Sequence, residues 1–569
     1  MRVAFLFWCF LWSLTVSAQT FQWGRRGGGL SAIPQDREQV YKIATAPDGT
    51  VYTLSAVAPG NLNIEGNVKT FLGDNSTKYD VALASFACDG TYRWSRIIGG
   101  GSYEMINGLE VDSAGNVYIS GKFGACSDSF PPKIDNIFTF SQFPVLDCSL
   151  IFIAKFTSQG NLEWLRRPQS SSVSISDGVT YTGGLGMALS NDGYLHWLVY
   201  LPPGTYANGA FVQNYNGPRY FIFRYDLQGN FVDALYLDMN VNIFQKFYRN
   251  PNNGKYYFLG SRFSNQDTVI VAGQTVTHSG YIFCLDSQGN LEWLRESSST
   301  NNPTGTIHWY GLDFDAQDNI YFAGNMLGGG LESFMGITTP TNQNNAGILV
   351  VKLNTQGNLE WGNASQKDGI MSGDVAVNGN DLFVLTVCHG PTYLWQNQSI
   401  TGPGTNQGTD VVLGKFNATS GVCTQLIRIV GDSGFDDSGA SLHFDSSGDL
   451  LVGGGFGHLL NTGNQLETNS AQSDFFIAKY GLSPCSLSTN SFMTEALTVS
   501  PNPAQTHFTL SGGQAMHYTL YTLTGGWVSE GELTADSRTV SVVGLAPGVY
   551  LLALETEGLQ QTVKVVVAP

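Results

Sequence analysis

Charge is scarce in this sequence. Only 13% of its 569 residues are Asp, Glu, Lys or Arg, where about a quarter is ordinary. Basic residues are the scarcer kind, 28 against 45 acidic ones, for a net charge of −17. That balance excludes a nucleic-acid binder, which needs a basic footprint. Beyond the first few residues no apolar run approaches the ~18 residues of a membrane-spanning helix, so no transmembrane anchor is expected. There is no C-x-x-C pair, which leaves a zinc ribbon or a thioredoxin-type redox site unsupported. H-E-x-x-H, G-x-S-x-G and phosphate-loop signatures are missing too, and the eight histidines show no metal-ligand spacing.

Glycine and aromatics are abundant: 68 Gly, 34 Phe, 25 Tyr and 11 Trp, with 42% hydrophobic residues overall. Short runs of Val, Ile, Tyr, Phe and Leu alternate with Asn, Ser, Thr and Gly, the pattern of an all-β chain with many turns. The first stretch differs. Arg2, an apolar run from Val3 to Leu14, and Val16-Ser17-Ala18 predict a secretory signal peptide over residues 1–18 and a soluble mature protein outside the cytoplasm. Disulfides can form in such a compartment. Cys126 and Cys148 bracket one loop and Cys388 and Cys423 lie in one repeat, making both pairs disulfide candidates, while Cys88 and Cys284 read as buried thiols.

Two motifs recur in alternation. The first reads DSQGNLEW at Asp286 to Trp293, with close copies ending at Trp164 and Trp361 and degenerate ones ending at Trp94, Phe231 and Val422. The second reads VDSAGNVYISGKF from Val111, with copies from Phe314 and Phe444 and weaker ones from Thr45, Leu189, Arg249 and Val377. Each predicts a β-hairpin around a tight turn, and two hairpins make a four-stranded unit that must stack on its neighbours to bury both faces. The second motif occurs seven times, but the last copy of the first stops at Gly481, before its aromatic strand. Phe21-Gln22-Trp23 resembles the missing piece. The expectation is therefore a seven-bladed β-propeller over residues 19–484, closed by the N-terminal strand.

These repeats resemble the bacterial seven-bladed propeller repeats, with their D-x-x-G-N-x-Y-x-x-G-x-F core and following D-x-F-x-x-K. Asp112, Gly115, Asn116, Tyr118, Gly121 and Phe123 match the first half; Asp474, Phe476 and Lys479 match the start of the second. The resemblance implies the fold and is nearly silent on activity. After a Ser-rich linker at 485–495, residues 496–569 resemble the C-terminal sorting domain of the type IX (Por) secretion system of Bacteroidota. Pro501, Asn502 and Pro503, then Gly544, Leu545, Pro547, Gly548 and Tyr550, and finally Lys564 carry that likeness. It implies a small immunoglobulin-like β-sandwich, export by the type IX machinery, and cargo that is released or held at the cell surface.

No catalytic constellation stands out. Asp in the repeated turns caps its own turn. Asp432, Asp436 and Asp437 form the one local carboxylate cluster that suits calcium, against the plain reading of a solvated loop; no other cofactor is expected. The tryptophans of the first motif are expected to pack between blades. Long connections should gather on one side of the propeller, and loops on a rigid scaffold are where binding residues concentrate. Trp309, Tyr310, Tyr393 and Trp395 on that side are candidate glycan- or protein-binding residues, or else caps on the ends of blades. Three functions remain open: a non-enzymatic secreted or surface-displayed binding protein, a carbohydrate-active hydrolase or lyase with its site at the channel mouth, and a structural surface scaffold.

Overall fold

The computed structural model describes residues 19–568, except 30–37, 74–78, 102–103, 124–129, 141–149, 169–185, 242–243, 263–267, 299–306, 327–332, 339–346, 367–368, 470–472, 483–484, 486–498, 511–515, 524–525, 535–536 and 557–558. The proposed signal at 1–18, Cys126, Cys148 and nearly all of the expected linker lie outside these residues. The chain divides into two compact units, Met1–Pro484 and Cys485–Pro569.

Each repeat pair folds because its polar spacers close tight turns. In the 111–123 repeat, Asp112 accepts hydrogen bonds from the backbone and side-chain amides of Asn116 and from the Tyr118 hydroxyl, at 2.8 to 2.9 Å. The glycine one residue before that Asn takes φ of +78°. The copy at 314–326 has Asp318 there instead, at φ +63°. Alternating apolar residues then carry the strands away from the turn.

Seven antiparallel sets of four strands recur in the first unit, numbered here as sheets 1 to 7; short hairpins extend two of them to six strands and a parallel strand adds a fifth to one. In chain order their strands are Val40–Thr45, Val51–Val57, Asp80–Phe86 and Tyr92–Gly99 (sheet 1); Glu104–Val111, Val117–Phe123, Leu150–Phe156 and Leu162–Arg166 (sheet 2); Met187–Leu189, Tyr194–Leu201, Arg219–Asp226 and Phe231–Leu237 (sheet 3). Sheet 4 comprises Phe244–Arg249, Tyr256–Ser261, Gly280–Leu285 and Leu291–Glu296; sheet 5, Ile307–Phe314, Ile320–Met326, Gly347–Leu353 and Leu359–Ala364. Sheet 6 is Gly369–Asn378, Asp381–Trp395, Gln398–Asn417 and Cys423–Ile429. Sheet 7 takes Ser438–Phe444, Leu450–Phe456 and Asp474–Gly481 from the C-terminal part and Thr20–Gly28 from the N-terminal part, with Trp23 opposite Lys479. Central strands such as Ile320–Met326 and Gly347–Leu353 are buried at every residue, which is why so little charge is tolerated.

Neighbouring sheets are tied by three repeated devices. First strands lie side by side in chain order, and that of sheet 1 lies against that of sheet 7. The fourth-strand Trp reaches the next sheet's third turn: Trp94 donates to Ser158 O (3.0 Å), Trp164 to Leu227 O (3.2 Å), Trp293 to Thr355 O (3.2 Å) and Trp361 to Ala418 O (3.0 Å). Trp23 of sheet 7 does the same to Cys88 O of sheet 1, at 2.9 Å. The third device is a short hairpin between the second and third strands of every sheet, folded back onto the preceding sheet. Ile64 pairs with Gly27, Ile134 with Ile98, Val269 with Val241, Phe334 with Ser297 and Leu460 with Gly431. In sheets 3 and 6 the link is Ala207 N to Pro168 O (2.7 Å) and Gln366 N to Leu394 O (3.1 Å).

In the second unit, strands Val499–Ser500, His507–Leu510 and Thr539–Ser541 form one antiparallel sheet. Trp527–Leu533, Met516–Thr522, Gly548–Thr556 and Leu559–Val567 form another, and Phe508, Leu520, Val540, Leu552 and Val565 share one core between them.

Candidate functional site

The first strands converge on a group of ionisable side chains from six sheets: Lys42, Glu110, Lys246 with Tyr248, Asp313, Asp374 and His443. All are half-buried, and burial dominates their chemistry. It pushes Glu110 up to about 8, against the pull of Lys42, and Asp313 up to about 7. Asp374 is raised as well, opposed by Lys42 and Lys246. Lys246 falls to about 8 and His443 to about 4 for the same reason, with Lys42 pushing each further down.

The acidic members hold the sheets together. Asp313 accepts the Val377 N–H of sheet 6 at 2.8 Å and its neighbour Phe314 N–H at 2.8 Å. Asp374 accepts the Leu442 N–H of sheet 7 at 3.1 Å and Val375 N–H at 3.0 Å. Glu110 accepts from Leu189 N–H of sheet 3, and the Tyr248 hydroxyl from Leu312 N–H of sheet 5. Across the seam between sheets 7 and 1, His443 Nε2 lies 3.1 Å from Thr45 Oγ1. Sequence reading singled out none of these residues as a site, because each stands alone in its own strand as an ionisable residue with no motif around it and is brought to the others only by the fold. Their one signal is register: each lies on a first strand, one or three residues before its turn motif.

The aromatic candidates are elsewhere, and three are not surface residues. Trp309, at 2% exposure, donates to Gly260 O at 3.0 Å and packs against Phe322 and Phe334. Tyr393 and Trp395 have no exposed area and belong to the core of sheets 5 and 6. Tyr310 is half-buried, its hydroxyl bonded to Asn325. Trp309, Tyr393 and Trp395 are thus packed in the interior of the sheets and present no free ring face at the surface. Exposed large apolar side chains of the long connections include instead Val68, Ile137, Val212 and Tyr215, on or beside the hairpins of sheets 1 to 3, and Val430, between sheets 6 and 7.

Asp432, Asp436 and Asp437 do not converge on a common point. Asp432 pairs with His458 at 2.5 Å, whereas Asp437 turns inward to accept Gly457 N–H at 3.0 Å. Among the described residues no group of three or more His, Cys, Asp or Glu is arranged to hold a metal ion. Cys388 and Cys423 are buried free thiols, not a disulfide. They pair with Asp410 and Phe416 of the strand lying between them. Six residues of extended chain offset them by about 20 Å along the sheet, while a disulfide needs Cα atoms within about 7 Å. Cys284 is a buried free thiol, as expected, but Cys88, at a turn, is disulfide-bonded, as is Cys485.

In the tail, the residues of the sorting motif organise the final strands. Asn502 donates to Lys564 O (2.9 Å) and accepts from Val566 N (2.8 Å), flanked by cis peptide bonds to Pro501 and Pro503. Gly544 takes φ of +85°, ahead of Leu545, which packs on the core, and of Pro547 and Gly548, which lead into the strand bearing Tyr550. The Tyr550 hydroxyl donates to Ala546 O at 2.9 Å.

An all-β repeat protein with a separately folded export tail is the class that these features define. Family comparison makes both parts specific: residues 93–122 match the beta-propeller repeat, and residues 498–568 match the secretion system C-terminal sorting domain. The chain thus carries a propeller repeat and a Por-type sorting domain, which implies a Bacteroidota origin, export to the cell surface or beyond, and the type IX machinery as partner. No helix among the described residues is long and apolar enough to cross a membrane. No curated protein matches the chain. Among solved structures, a protein of unknown function from Dyadobacter fermentans is 12% identical, with 64% of this chain and 93% of that chain covered and a TM-score of 0.33. The extracellular domain of a putative one component system from B. thetaiotaomicron is 12% identical over 93% of this chain and 81% of that one, with a TM-score of 0.23. Drosophila Semaphorin 1a, extracellular domains 1-2, is 8% identical over 74% and 85%, with a TM-score of 0.33.

Proposed function

We propose that the seven sheets close into a seven-bladed β-propeller that works outside the cell as a non-enzymatic binding module for a glycan or protein. Residues 1–18 take the chain through the inner membrane and the sorting domain takes it through the outer one. The observation that carries the binding reading is the use of the central carboxylates. Asp313 and Asp374 each accept backbone N–H groups at both oxygens, which commits these two carboxylates to holding the sheets together rather than to acid–base work. Closure is supported by Trp23, His443 and the Leu62–Lys69 hairpin, which join sheets 7 and 1 by devices that recur between other neighbouring sheets.

On this reading the contact surface is the hairpin side, where Val68, Ile137, Val212 and Tyr215 are exposed. Probing a glycan array and a pull-down with the exported protein tests it. Saturable binding that weakens in Tyr215→Ala and Val212→Ser is expected. Turnover of a bound glycan would replace binding with hydrolase or lyase action, and no binding at all would leave the scaffold role.

A further inference from the structure

Of the nine described tryptophans, eight are buried or half-buried, and only Trp527 of the second unit is exposed, at 63%. Its indole has no hydrogen-bond or ring partner among the described residues, whereas tryptophans of the first unit such as Trp94 and Trp293 donate to backbone oxygens. The other exposed large apolar side chains described in the second unit are Leu523, at 65%, and Val543, at 70%. Scattered singly over a surface, such residues need no explanation. These three are not scattered.

Strand register puts them at one end of the unit. Met516–Thr522 finishes there and Trp527–Leu533 begins there, with Tyr521 opposite Trp527 and Leu523 in the turn between the two strands. Gly548–Thr556 starts and Leu559–Val567 finishes at the same end, because Thr522 lies opposite Tyr550 and Gly548 opposite Val567. Val543 is on the connection that leads from Thr539–Ser541 into Gly548. The sorting motif gathers there as well: Asn502 is bonded to Val566 N and Lys564 O, and Pro501, Pro503, Gly544, Pro547 and Gly548 are exposed.

Charge is sorted along the same axis. Segments 516–529 and 539–554, which supply this end, contain no Asp, Glu, Lys or Arg. Glu530 and Glu532 follow further along their strand, opposite Thr519 and His517, and Glu555 is also opposite His517. Lys564, opposite Leu551, is the nearest charge on the strands. An apolar centre kept clear of charge, with an exposed Trp in it, is the composition of a protein interface. A bilayer surface is met by several cations beside the apolar residues, and here there is one.

We infer that Leu523, Trp527 and Val543 form the surface by which the tail docks on a protein of the type IX machinery, with the Trp527 indole seated in an apolar pocket of that partner. The inference rests on the reading that residues 498–568 export the chain. Continuity names the occupant: the residues that mark the sorting domain adjoin the patch on the strands that end there. Asn502 and Tyr550 spend their hydrogen bonds inside the unit and so shape this end, while the apolar side chains reach outward.

The test is export of the full chain in a bacterium with type IX machinery, read as the ratio of chain beyond the outer membrane to chain in the periplasm. Leu523→Ser with Trp527→Ser should lower that ratio about tenfold or more, and Trp527→Phe should keep it. Glu530→Ser with Glu532→Ser, away from the patch, should leave it unchanged. An unaltered urea midpoint of the retained variant shows that the tail is folded; if the midpoint falls, Val543→Asp, which puts a charge into the patch at an exposed site, takes its place. Normal export of these variants overturns the surface, as does binding of the purified full chain to outer-membrane lipid vesicles that is lost in Trp527→Ser, since the patch is then a lipid contact. A chain lacking residues 485–569 separates the two readings. If it stays in the periplasm while the patch variants are exported, only the surface falls; if it too is exported, the sorting reading falls with it.

Discussion

A tryptophan ring lying on a glycine is the smallest unit of this architecture. A Cβ on Gly357 would stand 2.5 Å from the Trp293 ring, and Gly90, Gly160, Gly229 and Gly421 meet Trp23, Trp94, Trp164 and Trp361 in the same way. Gly357→Ala therefore meets both a left-handed φ of +71° and the indole. A loss of at least about 1 kcal/mol from the backbone alone is expected in urea unfolding. Trp293→Ala, at a site 7% exposed, should cost about 3 kcal/mol or more by the same measurement. The sequence made this contact legible, since the LEW tryptophans recur in step with the turn glycines. The contact is missing from two sheets: Asp233 holds the Trp position in sheet 3, and Gln425 holds it in sheet 6, where the next sheet takes its fourth strand from the N-terminal part and has no third turn to receive a ring. Asp437 illustrates what was not legible. Burial pushes its carboxyl up to about 8, with Asp410, Asp436 and Asp432 adding to the effect. Its unfolded value is about 4, so the stability it contributes is complete below about pH 4 and is lost as pH rises to about 8. Denaturation midpoints at about pH 5 and about pH 8 should differ less in Asp437→Asn than in the wild type.

At the scale of the element, the turn hairpins announced themselves by Asp-x-x-Gly-Asn spacing, whereas the seven back-folded hairpins did not. Their tips, such as Glu65-Gly66, Ala272-Gly273 and Met335-Gly336, have left-handed φ at both residues. That is the two-residue hairpin geometry, but the flanking strands are only two or three residues long, too short for alternation to register. The aromatic candidates failed for a related reason. Tyr393 and Trp395 sit where the hairpin of sheet 6 continues its two long central strands, so what reads as a loop is sheet extended to its end. The same elements settle the thiols. Burial raises Cys388 and Cys423 to about 11 and Cys284 to about 12. Native protein should leave all three unmodified by iodoacetamide, and unfolding without reductant should expose them, as read by peptide mass spectrometry.

At the scale of the whole molecule, sheet 7 decides the outcome. Deleting residues 19–28 removes its fourth strand, the Trp23 contact and the support for the first hairpin together. The truncated protein should lose cooperative unfolding of sheets 1 and 7 first, seen as faster hydrogen exchange in 40–57 and 450–481 than in 307–364. Removing residues 485–569 should instead leave the propeller folded and keep it in the periplasm, as read by cell fractionation. Two segments were legible in the sequence: Phe21 to Trp23 as part of a strand seeking a partner, and residues 498–568 as an address. The interior cluster was not, because single polar residues acquire meaning only when six strands bring them together.

The pairing of Trp23 with Lys479 also sets a clock. The earliest strand made is the last to find its partner, so every other sheet can form while that edge waits. A chain cut short anywhere before Gly481 presents an unpaired strand, and such an edge invites aggregation or proteolysis. The seam can therefore shut only after synthesis has passed Gly481.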